Sequence, residues 1–328
     1  MLIGLGLVVW PLDGQVSQHV ERTFSAEVER LSEPAGFFDT DNLISNERSY
    51  LEVIPTLIAG GVSGGAYIGV GPDQNFSYIA HIRPSVAYII DVRRDNLLLH
   101  LLFKAVFAQA ANRVEYLSLL TGRSPPKDPT HWVSSSLDQI VAYIDRSALS
   151  TGFLDTRSQL DRTIDGFGVP LSPGDHQTID RFRRIFVDEG LNLRFKSHGR
   201  APRPHYPTLR DLLLATDREG RQRHYLASED DFQFVRSLQA RDAVIPVVGD
   251  VAGPSALSAI GAAVADRQEE VTAFYISNVE FYLSEGRYEQ FINNMSGLPL
   301  APQGVMIRSI FGGGGSRTMV ALLNELVR

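Results

Sequence analysis

The segment "AYIGVGPDQNFSYIAHIRPSVAYIID", Ala66 to Asp91, constrains the fold more than any other part of the chain. Two short apolar runs, Ala66 to Val70 and Val86 to Asp91, read as strands buried on both faces, the habit of parallel strands. Between them Gly-Val-Gly opens a turn. Phe76 to Ile82 then makes about two helical turns, and Pro84 stops it. "NLLLHLLFKAVFAQAANRVEYLSLL" follows as one long helix, apolar on much of its circumference. A β-α-β-α order of this kind predicts an α/β fold with a doubly wound, mostly parallel sheet.

The rest of the chain divides around that unit. Residues 1–62 read as an N-terminal helical region. Phe24, Val28 and Leu31 have helical spacing, and Ser45 gives a cap signal ahead of an apolar run. "GGVSGG" at 60–65 is a breaker. The sheet unit, residues 63–120, resumes at 241–328, where "AVIPVVGD" ends at Asp250. Val271 to Ile276 is a buried strand, and "GVMIRSIFGGGG" supplies another. Helices are expected over 255–270 and about 286–296. Residues 121–240, richer in charge, Pro and Gly, read as a mostly helical insertion or cap.

Composition removes several function classes. The 328 residues contain no cysteine, so disulfides, thiolate nucleophiles and Cys-rich zinc sites are out. The net charge of -7 gives no chain-wide basic field, and no nucleic-acid partner is expected. Leu2 to Trp10 is apolar but too short to span a bilayer, and it lacks the positive start of a secretory signal. The expectation is a buried strand or an early start codon in a cytoplasmic protein with no membrane partner; a degenerate export signal is the alternative.

The glycine turn carries the chemistry. Glycine admits a ligand close to the backbone, and the following helix N-terminus points amide N–H groups at it. In open α/β sheets ligands bind at the carboxyl ends of the strands, where strand order reverses. The turn runs Gly69-Val70-Gly71-Pro72-Asp73-Gln74-Asn75, and the next strand ends in Asp91, a carboxylate suited to ribose hydroxyls. The bland alternative is a tight structural turn. A dinucleotide fits less well, because its fingerprint wants glycine where Gln74 stands, and Asp73 sets a carboxylate beside the diphosphate position.

These residues resemble the class I S-adenosylmethionine-dependent methyltransferases over about 66–120 and 241–311. "YIGVGPD" is similar to the family's first motif, and "YIIDVRRDN" to its second strand with the ribose-binding acid. "VIPVVGDVAG" is similar to the third strand, "AFYISNVEFYL" to the fourth and "LPLAPQGVMIRSIF" to the fifth. The resemblance implies S-adenosylmethionine as cofactor and methyl transfer to a small-molecule or peptide acceptor. It also implies roles: Gly69 and Gly71 line the turn, Asp91 holds the ribose, Asp250 takes the adenine amine with Gly249 keeping the backbone close, and Ser277 and Asn278 lie at the methyl-donor end. Asp73, Asn75 and Arg93 complete the candidate cofactor-binding set, Arg93 beside the adenine. The family usually has an acid where this chain has Tyr67; Glu52, Asp73 and Glu280 are candidate substitutes for its contact to the methionine amine. That departure keeps open a protein of the same fold that binds a nucleoside-like ligand without chemistry. A dinucleotide-dependent oxidoreductase is the remaining alternative.

Other clusters carry less. "SHGRAPRPHYP" gathers His198, Arg200, Arg203, His205 and Tyr206, either an acceptor-binding loop for an anionic group or a solvated one. His198, His205 and His224 match no metal-site spacing, and no metal is expected. His81 and His100 read as packing or surface residues. Arg93, Arg94 and Asp95 can equally open the next helix, with Asp95 as its cap. "FGGGGSRT" lacks the lysine of a phosphate loop, and no Gly-x-Ser-x-Gly elbow occurs at a strand end.

Overall fold

The computed structural model describes residues 23–198, 206–312 and 315–327. The run Leu2 to Trp10 and the loop residues Arg200, Arg203 and His205 therefore lie outside the described residues. The described residues open with α1 (Phe24–Leu31), capped by the Thr23 hydroxyl, which accepts from the Ala26 amide. An irregular stretch leads to a short 3-10 turn (Tyr50–Val53) and α2 (Ile54–Ala59). The expected cap role of Ser45 is not found: its hydroxyl accepts from the Glu47 amide within the irregular stretch, 3.1 Å away.

The alternation then follows as β1 (Ala66–Val70), α3 (Gln74–Ile82), β2 (Val86–Asp91) and α4 (Arg94–Gln109). β1 is buried along its whole length and β2 up to Asp91, in keeping with their unbroken apolar sequence. The long helix expected after β2 is two helices. Ala110 leaves the helix with extended backbone, and the Asn112 side chain caps α5 (Arg113–Leu120) by accepting from the Glu115 amide at 3.0 Å. Asp95 lies in the first turn of α4 and is not its cap.

The insertion is helical: α6 (Leu137–Arg146), α7 (Phe153–Gly166), α8 (Pro173–Glu189), α9 (Leu209–Leu213) and α10 (Glu229–Ala240). β3 (Val244–Val248), α11 (Ala256–Asp266), β4 (Val271–Ser277), α12 (Glu285–Ser296) and β5 (Leu300–Gly312) continue the alternation. The chain then turns back as β6 (Gly315–Leu322) and ends in α13 (Leu323–Leu326), so the glycine run after Phe311 joins a hairpin that the sequence reading did not foresee.

Among the described residues six strands form one sheet in the order β3-β2-β1-β4-β5-β6. The first five are parallel, and β6 is antiparallel to β5, from Val305↔Leu322 to Gly312↔Gly315. The chain steps outward from β1 to β3 and then crosses back to β4. Strand order therefore reverses between β1 and β4, and right-handed crossovers place α3, α4 and α10 on one face and α11 and α12 on the other. One hydrophobic core runs through both layers and takes in the insertion residues Leu137, Phe182 and Phe232.

Candidate functional site

A cavity of about 390 Å³ lies at the carboxyl ends of β1, β2, β3 and β4, across the point of reversal. Its floor brings together Gly71 after β1, Asp91 and Arg93 at the end of β2, Gly249 and Asp250 after β3, and Ser277 and Asn278 at the end of β4. Its roof is a strap that the sequence reading had assigned to helix. Residues 32–47 cross the strand ends in irregular conformation.

Hydrogen bonds fix the strap at β3, β2, β4 and β5. At β3 the Glu33 amide donates to the Val248 carbonyl (2.9 Å). The Glu33 carboxylate accepts from the amides of Asp250 (2.8 Å), Ser255 (3.3 Å) and Ala256 (3.1 Å). It thus supplies the anion that the N-terminus of α11 favours. At β2 the Gly36 amide donates to the Val92 carbonyl (2.8 Å), and the Arg93 guanidinium donates to the carbonyls of Thr40 and Asp41, both at 3.0 Å. At β4 and β5 the anchor is Glu47, whose carboxylate accepts from the hydroxyls of Tyr275 (2.9 Å), Ser277 and Ser309 (2.5 Å).

Three of the sequence-derived site residues do not line the cavity. Asn75 is fully buried, and its amide nitrogen donates to the carbonyls of Val70 (2.9 Å), Gly71 (3.3 Å) and Pro72 (2.7 Å). Its oxygen accepts from Tyr67, so Asn75 builds the turn from inside. Gly69 makes room for this arrangement: a Cβ there falls 1.9 Å from Asn75 Oδ1 and 2.8 Å from the Tyr67 ring. Asp73 points away from the cavity toward the Tyr225 hydroxyl (3.5 Å), and burial pushes its carboxyl up to about 7. Asp73 therefore sets no carboxylate beside the α3 N-terminus on the cavity side. Gly71 does face the cavity, with φ +82°, and its carbonyl is held by the Nε2 of buried His100 at 2.9 Å. Burial drives the His100 imidazole down to about 4, so it holds that carbonyl as a neutral donor.

The two carboxylates expected to read a nucleoside are already engaged. Asp91 accepts from the Arg93 guanidinium at 3.1 and 2.8 Å and from the Arg93 amide at 2.9 Å. Asp250 accepts from the Ala252 amide at 2.8 Å and from Arg287 at 2.5 Å. Gly249 packs against α11, since a Cβ there falls 2.2 Å from that of Ala256. Ser277 holds φ +55°, a left-handed conformation that is costly for a residue with a Cβ and that turns its hydroxyl to Glu47.

Tyr67, standing where the resembled family has an acid, is fully buried and bonded to Asn75. None of the three proposed substitutes lines the cavity. Glu52 pairs with Arg218 (3.0 Å), Glu280 with Arg308 (2.8 Å), and Asp73 faces Tyr225. Glu47 lines the cavity instead, at 1% exposure, and burial pushes its carboxyl up against the pull of its three hydroxyl donors. Gln74 lines it too: the amide nitrogen donates to the Tyr275 hydroxyl at 3.2 Å, while Oε1 is buried without a hydrogen-bond partner among the described residues. A buried acceptor left open beside a cavity is a place for a ligand donor.

Phe38 and Tyr282 meet edge to face at the cavity rim, 4.9 Å apart, beside the exposed Phe37. From the loop expected to bind an acceptor, the His198 amide donates to the Asp39 carbonyl and the Tyr206 ring packs on Phe195, which also lines the cavity. His224 is buried against Tyr225, and its Nδ1 accepts from the Leu226 amide. Among the described residues no group of three His, Asp or Glu is arranged to hold a metal, and no helix is long and apolar enough to cross a membrane.

The fold and cavity define an α/β domain with a doubly wound, mostly parallel sheet and a small-molecule-sized site at its point of reversal. The chain belongs to the family described as a domain of unknown function (DUF7790), whose model matches residues 43–157 and 196–321. The match takes in β1 to β5, β6 up to residue 321, and Glu47, and it passes over 158–195, which holds most of α7 and all of α8. A search of the curated proteins finds no match.

Proposed function

We propose that the cavity binds S-adenosylmethionine and that the chain transfers its methyl group to a small-molecule or peptide acceptor. The observation that carries this reading is the convergence on one cavity, at the reversal point of a 3-2-1-4-5 sheet, of Gly71, Asp91, Asp250, Ser277 and Asn278. The resemblance assigns these five residues to one cofactor. The donor set suits it. Gln74 Oε1 supplies an open acceptor for a ligand donor such as an ammonium group, and Glu47 a buried carboxylate that can take a proton. Asp91 would hold the ribose diol and Asp250 the adenine amine, while Ser277 and Asn278 face the donor end.

The cofactor supplies, when bound, a methyl group on a sulfonium sulfur that leaves readily. The protein's part is alignment, exclusion of water and acceptance of a proton where the acceptor has one to lose. Alignment falls to the strand ends, water exclusion to the strap, and proton acceptance to Glu47, the cavity carboxylate with no cation beside it among the groups that shift it. One observation bears on the nucleoside role in either reading, with chemistry or without: both Asp91 oxygens accept from Arg93, so a diol must displace or share that guanidinium.

Calorimetric titration with S-adenosylmethionine, S-adenosylhomocysteine and NAD separates an S-adenosylmethionine site from a dinucleotide site. Saturable binding of the first two and not of NAD is expected, with loss of affinity in Asp91→Ala while the fold survives. NAD binding in their place refutes the proposal, and unchanged affinity in Asp91→Ala removes the ribose role.

A further inference from the structure

Glu47 is approached from two sides. One is the cavity. On the other, four hydroxyls lead away from it in hydrogen-bonded series. Ser309 Oγ donates to Glu47 Oε2 at 2.5 Å, Ser309 Oγ lies 3.2 Å from Thr318 Oγ1, Thr318 Oγ1 lies 3.0 Å from Ser49 Oγ, and Ser49 Oγ lies 3.0 Å from Ser316 Oγ. Ser309, Thr318 and Ser49 are buried at 5%, 1% and 3% exposure, whereas Ser316 is half-buried and lines a surface hollow on the hairpin.

The series follows from strand geometry. Ser309 and Thr318 are directly opposite each other in the β5–β6 register, and Ser316 lies two residues from Thr318, so it projects from the same face. Ser49, next to the 3-10 turn, fills the gap between them. The three hydroxyls between Glu47 and Ser316 each have a neighbour on both sides, and a hydroxyl both donates and accepts.

We infer that the Ser309–Thr318–Ser49–Ser316 series is a proton path joining Glu47 to solvent at the β5–β6 hairpin, behind the ligand cavity. With Glu47 ionised the hydroxyl hydrogens point inward. The Ser309 proton passes to Glu47 Oε2 as its O–H bond breaks. Ser309 takes the proton of Thr318, Thr318 that of Ser49, Ser49 that of Ser316, and Ser316 one from a hydronium ion at the surface, which leaves as water. No electrons are gained or lost, and the hydrogens now point outward. The reverse sequence returns the Glu47 proton to water. A proton that Glu47 takes from the cavity side finds the hydroxyl hydrogens pointing inward; the four hydroxyls turn about their C–O bonds to point outward, and the same hand-over then carries it to solvent, so a carboxylate enclosed by ligand and strap is reset. The ionisable groups that feel the Glu47 charge are the phenols of Tyr67, Tyr78 and Tyr275, all pushed well above their ordinary value by burial, so none competes for the proton. The inference rests on the proposed function for its purpose, not for its geometry.

The test uses the full chain without ligand. Infrared spectroscopy after a rapid pH jump follows the Glu47 carboxyl band, identified by its loss in Glu47→Gln. Thr318→Val keeps the shape and removes the hydroxyl. It is expected to slow protonation of Glu47 by about 100-fold, the low end of what positioned proton transfer contributes. Thr318→Ser, which restores the hydroxyl, is expected to keep the native rate; a merely structural hydroxyl moves stability but not this rate. Ser49→Ala breaks the series at a second point and decides the matter if Thr318→Val does not fold. A native rate in the folded broken-series variant overturns the path, because the proton then arrives through the cavity. Cofactor titration is read separately. S-adenosylmethionine binding with a native rate in Thr318→Val sinks only the path, and slowed exchange without S-adenosylmethionine binding sinks only the methyl-transfer reading.

Discussion

Arg93→Ala should lower stability and raise ligand affinity, two effects that rarely go together. The Arg93 side chain is 7% exposed and that of Asp91 11%, so the pair is largely shielded from water. The guanidinium makes two bonds to the Asp91 carboxylate and two to strap carbonyls, at 3.1, 2.8, 3.0 and 3.0 Å. Its removal leaves Asp91 with one donor, its bond from the residue 93 amide at 2.9 Å. Breaking a buried ion pair from one side costs about 3–5 kcal/mol. The lower half applies here, because the cavity gives the freed carboxylate access to water. The affinity runs the other way. A ribose diol that binds Asp91 competes with the guanidinium for the carboxylate; where it displaces one charge-assisted bond, worth about 1.5–3 kcal/mol, the variant spares that cost. At about 1.4 kcal/mol per tenfold, S-adenosylmethionine or S-adenosylhomocysteine should bind about 10- to 100-fold more tightly. Urea unfolding gives the first quantity and calorimetric titration the second. A folded Arg93→Ala protein that binds these ligands more weakly than the native chain refutes the reasoning, since Arg93 is then a ligand contact and not a clasp on Asp91.

Three further outcomes follow from groups around the site. Asp73 has a folded pKa of about 7 against an ordinary 3.8, so the folded state holds a proton that the unfolded chain has released. Its contribution to stability falls as pH rises through that window and levels off above it, and Asp73→Asn should gain on the native chain by up to about 4 kcal/mol between pH 4 and 7 in urea melts. A constant difference across that range would show Asp73 ionised in the fold. His100 and His224 have the opposite sign, lowered by burial to about 4 and about 3. Their stabilisation is complete above the ordinary 6.5 and lost as pH falls toward 4. The double variant His100→Gln, His224→Asn should flatten that arm, and an unchanged acid slope would assign it elsewhere. Gly249→Ala brings a Cβ within 2.2 Å of that of Ala256 and should cost about 1–3 kcal/mol by levering α11 off β3; an unchanged urea midpoint would contradict the close packing.

The parts of the fold that the sequence announces are those written in short periods. β1 and β2 are apolar without interruption because both their faces are covered, and α11 and α12 fall where their patterns place them. Asp91 and Asp250 end or follow their strands, so placing the strands placed the acids. The turn after β1 was visible as a turn, but not which of its side chains face inward. Gly69 and Asn75 read like ligand contacts because glycine and asparagine suit tight turns for either purpose, and only the packing of Tyr67 and Asn75 shows which applies. Glu47 has no local signature. Its partners Ser277 and Ser309 lie 230 and 262 residues away in sequence, and the stretch around it resembles a helix start, with a serine, an acid and an apolar run. A group whose role is fixed by contacts of that separation becomes visible only once the strap is seen to cross the sheet.

The tyrosine in β1 has a structural consequence of its own. The Tyr67 ring and the Asn75 side chain fill the space beside Gly69, so the β1 position is committed to the turn, and the buried carboxylate enters from the strap as Glu47. A carboxylate carried on a strand is present whenever the sheet is folded. One carried on a strap is present only when the strap is docked, and the strap is docked by Glu33 at α11, by Arg93 at β2 and by Glu47 itself. Site and roof are therefore one element. A ligand that bonds to Glu47 stabilises the docked strap by the same free energy with which the docked strap favours the ligand. Arg93 sits where the two are joined, with its guanidinium shared between the strap carbonyls and Asp91. A ligand that draws Asp91 away from it changes the hold on the roof in the same step.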